Sequence, residues 1–166
     1  MPNDVFRAGD AILVFGVDDA SSPEGAAADA VVSAYDLSNV VGRLTDVSIS
    51  VTTDVQAFFE LGRRYPTHLR PGSVRVSGTA ARAHVNGALI RLLLGDGATS
   101  PPSAANFVHP ALNIVATLRD PARPDNMARL TVFGARFDSW TYKIPAEDVV
   151  VEQASFKALR IAFEEA

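Results

Sequence analysis

Between Leu44 and Thr53 apolar and polar residues alternate strictly, with Val47, Ile49 and Val51 on one parity and Asp46, Ser48, Ser50 and Thr52 on the other. A period of two is that of a strand with one face covered. Val55, Ala57, Phe59 and Leu61 keep the parity, so the chain is predicted to stay extended to Gly62, through a bulge at Thr53-Asp54. Ser73 to Ala81 alternates again, Val74, Val76 and Gly78 against Arg75, Ser77 and Thr79, and predicts another strand. Gly62 to Gly72 (GRRYPTHLRPG) holds glycines, prolines and arginines in a pattern that suits no regular element, and reads as an exposed basic loop.

Elsewhere the pattern is less regular. Ala11 to Val17 is a short continuous apolar run between Gly9-Asp10 and Asp18-Asp19, which fits a strand buried on both faces. Asp18 to Asp29 (DDASSPEGAAAD) is predicted to be a mobile loop or the tip of an extended hairpin, with Ala30 to Leu37 as the returning strand. Val85, Leu89, Leu92 and Leu93 recur at helical spacing, with Asn86 as N-cap and Gly95 just past the end, so one helix is predicted there. Asp96 to Asn106 reads as a long surface loop. Three strand segments follow: Leu112 to Leu118, Ala128 to Ile144 with a bulge near Asp138-Ser139, and Asp148 to Phe163. Asp120 to Met127 forms a hairpin tip between the first two. The expected fold is mainly β, a β-sandwich or barrel with one packed α-helix and extended loops, as a single domain over 1–166.

Composition changes this picture by exclusion. A hydrophobic content of 48% in 166 residues is enough for a core without cross-links, and the absence of cysteine removes disulfides, Cys metal sites and thiol nucleophiles. A net charge of -4 argues against a general nucleic-acid binder, whose affinity comes from a basic surface. No apolar run is long enough to span a bilayer, and the chain is expected to be made and used in soluble form, without membrane partners. His68, His84 and His109 share no metal-ligand spacing, and Gly95-Asp96-Gly97 follows a helix instead of preceding one, the wrong polarity for phosphate. No catalytic constellation, metal site or cofactor is expected, and the chain is read as non-enzymatic. Arg63, Arg64 and Arg70 are the one local basic concentration, read either as a solvated loop or as partners for carboxylates of a neighbouring subunit. Trp140 and Tyr142 are read first as core aromatics and second as a sugar-binding platform.

One long stretch, Asp46 to Gly95, resembles the central part of the tail-tube proteins of tailed phages. Its alternating strand leads to Glu60-Leu61-Gly62-Arg63, then to a strand begun at Gly72 that carries Ser77-Gly78-Thr79, then to the helix Asn86 to Leu94. The C-terminal run from Val132 is similar in style, Phe137-Asp138-Ser139-Trp140 leading to Ile144-Pro145 and an alternating end. The resemblance implies a structural protomer that assembles with itself as stacked homo-hexameric rings, with sheath, tape-measure and baseplate proteins as further partners and DNA passing through without specific binding. It is similar in fold to tube components of contractile injection systems and type VI secretion. On this reading Gly62, Arg63, Arg64 and Arg70 belong to the inter-subunit interface, and Asp46, Ser48, Ser50 and Thr52 are candidates for the lumen. A tube or baseplate ring component of an injection system and a β-sandwich ligand-binding module are the alternatives.

Overall fold

The alternating segments form strands in the structure, a computed structural model that describes residues 5–39, 41–98 and 108–165. Along them run β1 (Ala11–Gly16), β2 (Leu44–Phe58), β3 (His68–Ala83), β4 (Leu112–Asp120), β5 (Arg123–Lys143), β6 (Val151–Ala158) and β7 (Arg160–Glu165), all paired antiparallel. The fold is mainly β, as the patterning implies. The long β5 serves two layers. Its first part lies between β4 and β7, and from Arg136 onward it pairs with β6, which leads on to β3 and then β2.

The crossing from one layer to the other occurs at Gly134. There the register steps from Ile114↔Val132 to Leu112↔Ala135, and Gly134 takes a φ of +64°. A Cβ at this position would lie 2.6 Å from Leu159 Cδ1, so only glycine fits both the backbone and the neighbour. Leu159 itself separates β6 from β7, dividing the single C-terminal strand expected from sequence. The two bulges read from the alternation are present, as register shifts between Thr53 and Val55 and between Phe137 and Ser139.

Between the layers Phe137 meets Phe15 and Phe156 edge to face, with ring centroids 6.0 and 6.1 Å apart. Leu112, Ile114 and Val132 fill the space around them. Two helices close this core, α1 (Pro23–Ala34) through Ala28, Val31 and Val32, and α2 (Ala88–Leu94) through Leu89 and Leu92. For α2 the end is as expected, with Gly95 at φ +59°, but the N-cap is Gly87 and not Asn86, which lies one residue earlier because its Oδ1 accepts from both Ala88 N at 3.1 Å and the Arg82 guanidinium.

α1 corrects the expectation of a mobile loop at 18–29 and a returning strand at 30–37. Its start signals were in the sequence: Ser22 as N-cap, Pro23 at the first helical position and Glu24 in the first turn. Ser22 Oγ accepts from Gly25 N at 3.1 Å and donates to Asp19 O at 2.9 Å. Hydrogen bonds from the Ser21 side chain and N–H hold the Asp19 carboxyl below its usual range. Small residues that read as a breaker cluster are instead what lets the helix lie close, since Gly25, Ala28, Val31 and Val32 recur on one face. Ser22→Ala is expected to lower stability by about 1 kcal/mol in urea unfolding through loss of the cap. An unchanged midpoint would mean that packing alone holds the helix start.

After α1, Asp36 turns the chain with φ 54°, and Leu37 and Val41 run along β1 through Phe15 N→Leu37 O (3.0 Å) and Val41 N→Leu13 O (2.9 Å). This strap covers the outer edge of β1. β1 is not buried on both faces: Leu13 and Phe15 point into the core and Ile12 is exposed. The Gly62 to Gly72 loop is shorter than expected, because His68 to Gly72 belongs to β3. Pro71 is tolerated there because that part of β3 has a strand on one side only. Of the loop expected at 96–106, Gly95–Ala98 form a 3-10 turn and residues 99–106 lie outside the described residues.

Candidate assembly surface

β3 pairs with β6 only from Val76 to Ala83, whereas its pairing with β2 runs on to Phe58↔His68. The β2–β3 hairpin therefore extends beyond the body as a two-stranded arm, closed by a tip at residues 59–67. Register puts Val51 beside Val76, Thr53 beside Val74, Val55 beside Pro71 and Ala57 beside Leu69, which makes one continuous apolar face. At its inner end Val76 is buried in the core, and beyond it the face is left open among the described residues. Val51 is 49% exposed, Val55 57%, Leu69 61% and Val74 62%. A two-stranded hairpin is marginal in water by itself, so an arm of this length with an apolar face calls for a partner.

The tip carries Phe59, Leu61 and Tyr65, all exposed, together with Gly62, Arg63 and Arg64. Gly62 turns the chain with φ +80°, and Arg63 N donates to Glu60 O at 3.1 Å. Arg70 is not with them: it lies along β3 opposite Gln56, on the polar face of the arm. The structure thus brings together three of the four residues singled out for an interface. The apolar tip residues had been absorbed into the strand parity, which hid their exposure.

Behind the arm, β5, β6, β3 and β2 form a four-stranded layer with one face on the core and one facing out. Ser48 pairs with Thr79, Thr79 with Ser155 and Ser155 with Ser139, so hydroxyls line up across all four strands. Ser50 pairs with Ser77 in the next row, while Asp46 stands opposite Ala81 and Thr52 opposite Arg75. All four lumen candidates share this outer face. Ser155 hydrogen-bonds both Ser139 and Asp138. Two opposite-charge pairs stand on this face, Lys157 at 4.0 Å from Asp138 and Arg75 at 3.4 Å from Asp54, and Arg136 lies opposite Lys157 in the strand register. The sequence signal for the wider face was the alternating hydroxyls Ser48, Ser50 and Thr52 of β2 and Ser77 and Thr79 of β3.

On the opposite face of this layer lies a buried polar cluster that the sequence reading missed. Arg82 Nε bonds Glu152 Oε1, and the other guanidinium nitrogen reaches Asn86 O at 3.1 Å and Asn86 Oδ1 at 2.9 Å. Trp140 Nε1 donates to Glu152 Oε2 at 3.0 Å, and His84 Nδ1 is 3.2 Å from the same oxygen. Arg82 and Glu152 are buried. This cluster ties β3, β6 and β5 to the start of α2. Trp140 is thereby half-buried against the core, and Tyr142 stacks on it with centroids 5.2 Å apart and remains exposed.

No family model and no curated protein matches the sequence. Solved structures match along its whole length. A chain of the extended sheath-tube complex of an extracellular contractile injection system (PVC) superposes with a TM-score of 0.62 at 15% identity, over 99% of this chain and 94% of that one. A chain of the anti-feeding prophage tube-terminating cap gives 0.64 at 13%, over 100% and 95%. The SPP1 tail tube gives 0.58 at 13%, over 98% and 80%. The fold is that of tail-tube proteins.

Proposed function

We propose that the chain is a structural, non-enzymatic tail-tube protomer that forms stacked hexameric rings enclosing a conduit. The observation that carries this reading is the β2–β3 arm, where Val51, Val55, Leu69 and Val74 stay exposed among the described residues. Covering one Val or Leu is worth about 1.5–3 kcal/mol, so several along one face make a strong drive to associate. Edge strand β2 offers unpaired backbone groups for the same purpose. The full-length likeness to a phage tail tube and to injection-system assemblies supports a phage tail and an injection system equally as the setting. Sheath, tape-measure and baseplate proteins are the corresponding partners.

The hydroxyl-rich outer face of the four-stranded layer is the lumen wall on this reading. A wall dense in Lys and Arg would hold DNA by counterion release, whereas a face of hydroxyls whose cations stand among Asp46, Asp54 and Asp138 holds a polyanion less strongly. Negative-stain microscopy of concentrated protein is expected to reveal rings or tubes. Arg63→Glu/Arg64→Glu is expected to reduce them while leaving a folded monomer. A protein that stays monomeric at all concentrations refutes the reading, and a tube map with Asp46 and Ser48 on the outside refutes the lumen assignment alone.

A further inference from the structure

The buried polar cluster holds, at the start of α2, the one Asn-Gly pair of the sequence, Asn86-Gly87. In such a pair the glycine nitrogen can attack the asparagine side-chain carbonyl, because no side chain on the glycine stands in its way. Among the described residues nothing calls for glycine at 87. Its φ is -83°, and an added Cβ would meet only Ile90 Cγ2 at 3.8 Å and Tyr35 Oη at 3.9 Å, both ordinary contacts. What the fold does control is Asn86. Its Oδ1 accepts from Ala88 N at 3.1 Å and from Arg82 Nη2 at 2.9 Å, and the same guanidinium nitrogen bonds its backbone oxygen at 3.1 Å. Arg82 is held in turn by the buried Glu152. Both oxygens of Asn86 are thus pinned to one guanidinium, and neither side chain nor backbone turns freely into the geometry that ring closure needs.

We infer that Asn86-Gly87 is a self-modification site gated by this cluster, independently of the tube reading. When the cluster opens, Gly87 N gives its proton to hydroxide and bonds to Asn86 Cγ. The Cγ–Nδ2 bond breaks, the leaving nitrogen takes up a proton and departs as ammonia, and a cyclic succinimide remains. Water then opens the ring at either carbonyl. Attack at Cγ leaves an aspartate, and attack at the backbone carbon leaves an isoaspartate whose main chain runs through Cγ. Nothing is oxidised or reduced; ammonia is exchanged for water. Either product puts a new carboxylate close to Arg82, where it competes with Glu152 for the guanidinium. The donors then left to the buried Glu152 are Trp140 Nε1 and His84 Nδ1. Two anions on one buried cation leave charge uncompensated, so a cluster that has opened and reacted closes less tightly. The site therefore records opening of the α2 end of the fold and makes it permanent.

Wild type is incubated in mildly alkaline buffer made with heavy-oxygen water, once folded and once in urea. It is then digested in ordinary water, and the tryptic peptide 83–91 is followed by mass spectrometry. The expected result is heavy oxygen at residue 86 at least about tenfold faster in urea than in the folded protein, because the folded chain reacts only through its rare open state. Folded protein that has taken up the label is expected to melt earlier. Gly87→Ala, at a position with room for a Cβ, is expected to fold as wild type and to slow labelling in urea by about tenfold or more. Labelling of folded wild type as fast as in urea, or faster, overturns the gating. Absence of label in urea overturns the site itself. Asn86→Asp with a wild-type unfolding midpoint overturns the competition for Arg82.

Discussion

Glu152→Ala is expected to lower stability by about 3–5 kcal/mol, because it leaves the buried Arg82 guanidinium without its counter-charge. Trp140 N–H loses its acceptor in the same substitution, and the remaining Asn86 contacts satisfy only the other end of the guanidinium. For a chain of this size that loss corresponds to a fall in Tm of about 6–20 °C. The asymmetry of buried pairs supplies the control. Replacing both partners, as Arg82→Met/Glu152→Leu, removes the charge that must be compensated and is expected to cost less than the single change. A single variant that unfolds within about 1 kcal/mol of wild type would mean that water reaches Arg82 and that the cluster is not a buried ion pair. Since the cluster anchors α2 to β3 and β6, chemical denaturation of the single variant is also expected to lose its cooperativity first in this region, visible as early exchange of the α2 amides.

Gly78→Val is expected to cost about 3 kcal/mol or more, as overpacking against groups that cannot move away cheaply. Gly78 lies in β3 between Ile49 of β2 and Phe156 of β6. Its missing side chain is the space that the Phe156 ring occupies: an added Cβ would overlap the Ser48 carbonyl oxygen and lie 2.5 Å from Phe156 Cζ. The ring is flexible in principle, but it is packed edge to face on Phe137, and the carbonyl belongs to the strand pairing itself. Valine therefore has to part β2 from β3 or expel Phe156 from the core. Because β2 carries both the arm and the hydroxyl face, loss of assembly is expected along with loss of stability. Thermal unfolding and microscopy of the same sample check both, and wild-type behaviour in each would mean that the strands separate here at no cost.

Local pattern was enough wherever the decisive interactions are local. Alternation from Leu44 onward, the stop of α2 at Gly95 and the bulges near Thr53 and Asp138 are set by side-chain period and turn chemistry between near neighbours, whereas the hairpin tip expected over Asp120 to Met127 shrinks to Pro121 and Ala122 because strand pairing extends β5 back to Arg123. The shared face of Asp46, Ser48, Ser50 and Thr52 follows from the same period. α1 was legible through Ser22, Pro23 and Glu24, but its Ala- and Ser-rich composition has little apolar contrast between its faces, so the decision falls to packing: Ala28, Val31 and Val32 are buried in the core, and a Cβ at Gly25 would run into the Asp19 carbonyl just before the helix.

Tertiary structure alone decided the rest. Parity says which residues share a strand face but not whether anything lies over that face, and so Val51 and Val55 read as covered, whereas the length of the β3–β6 pairing leaves them on a free arm. The meeting of Arg82 with Glu152 spans 70 residues of sequence, and a charge in a strand carries no mark of a partner so distant.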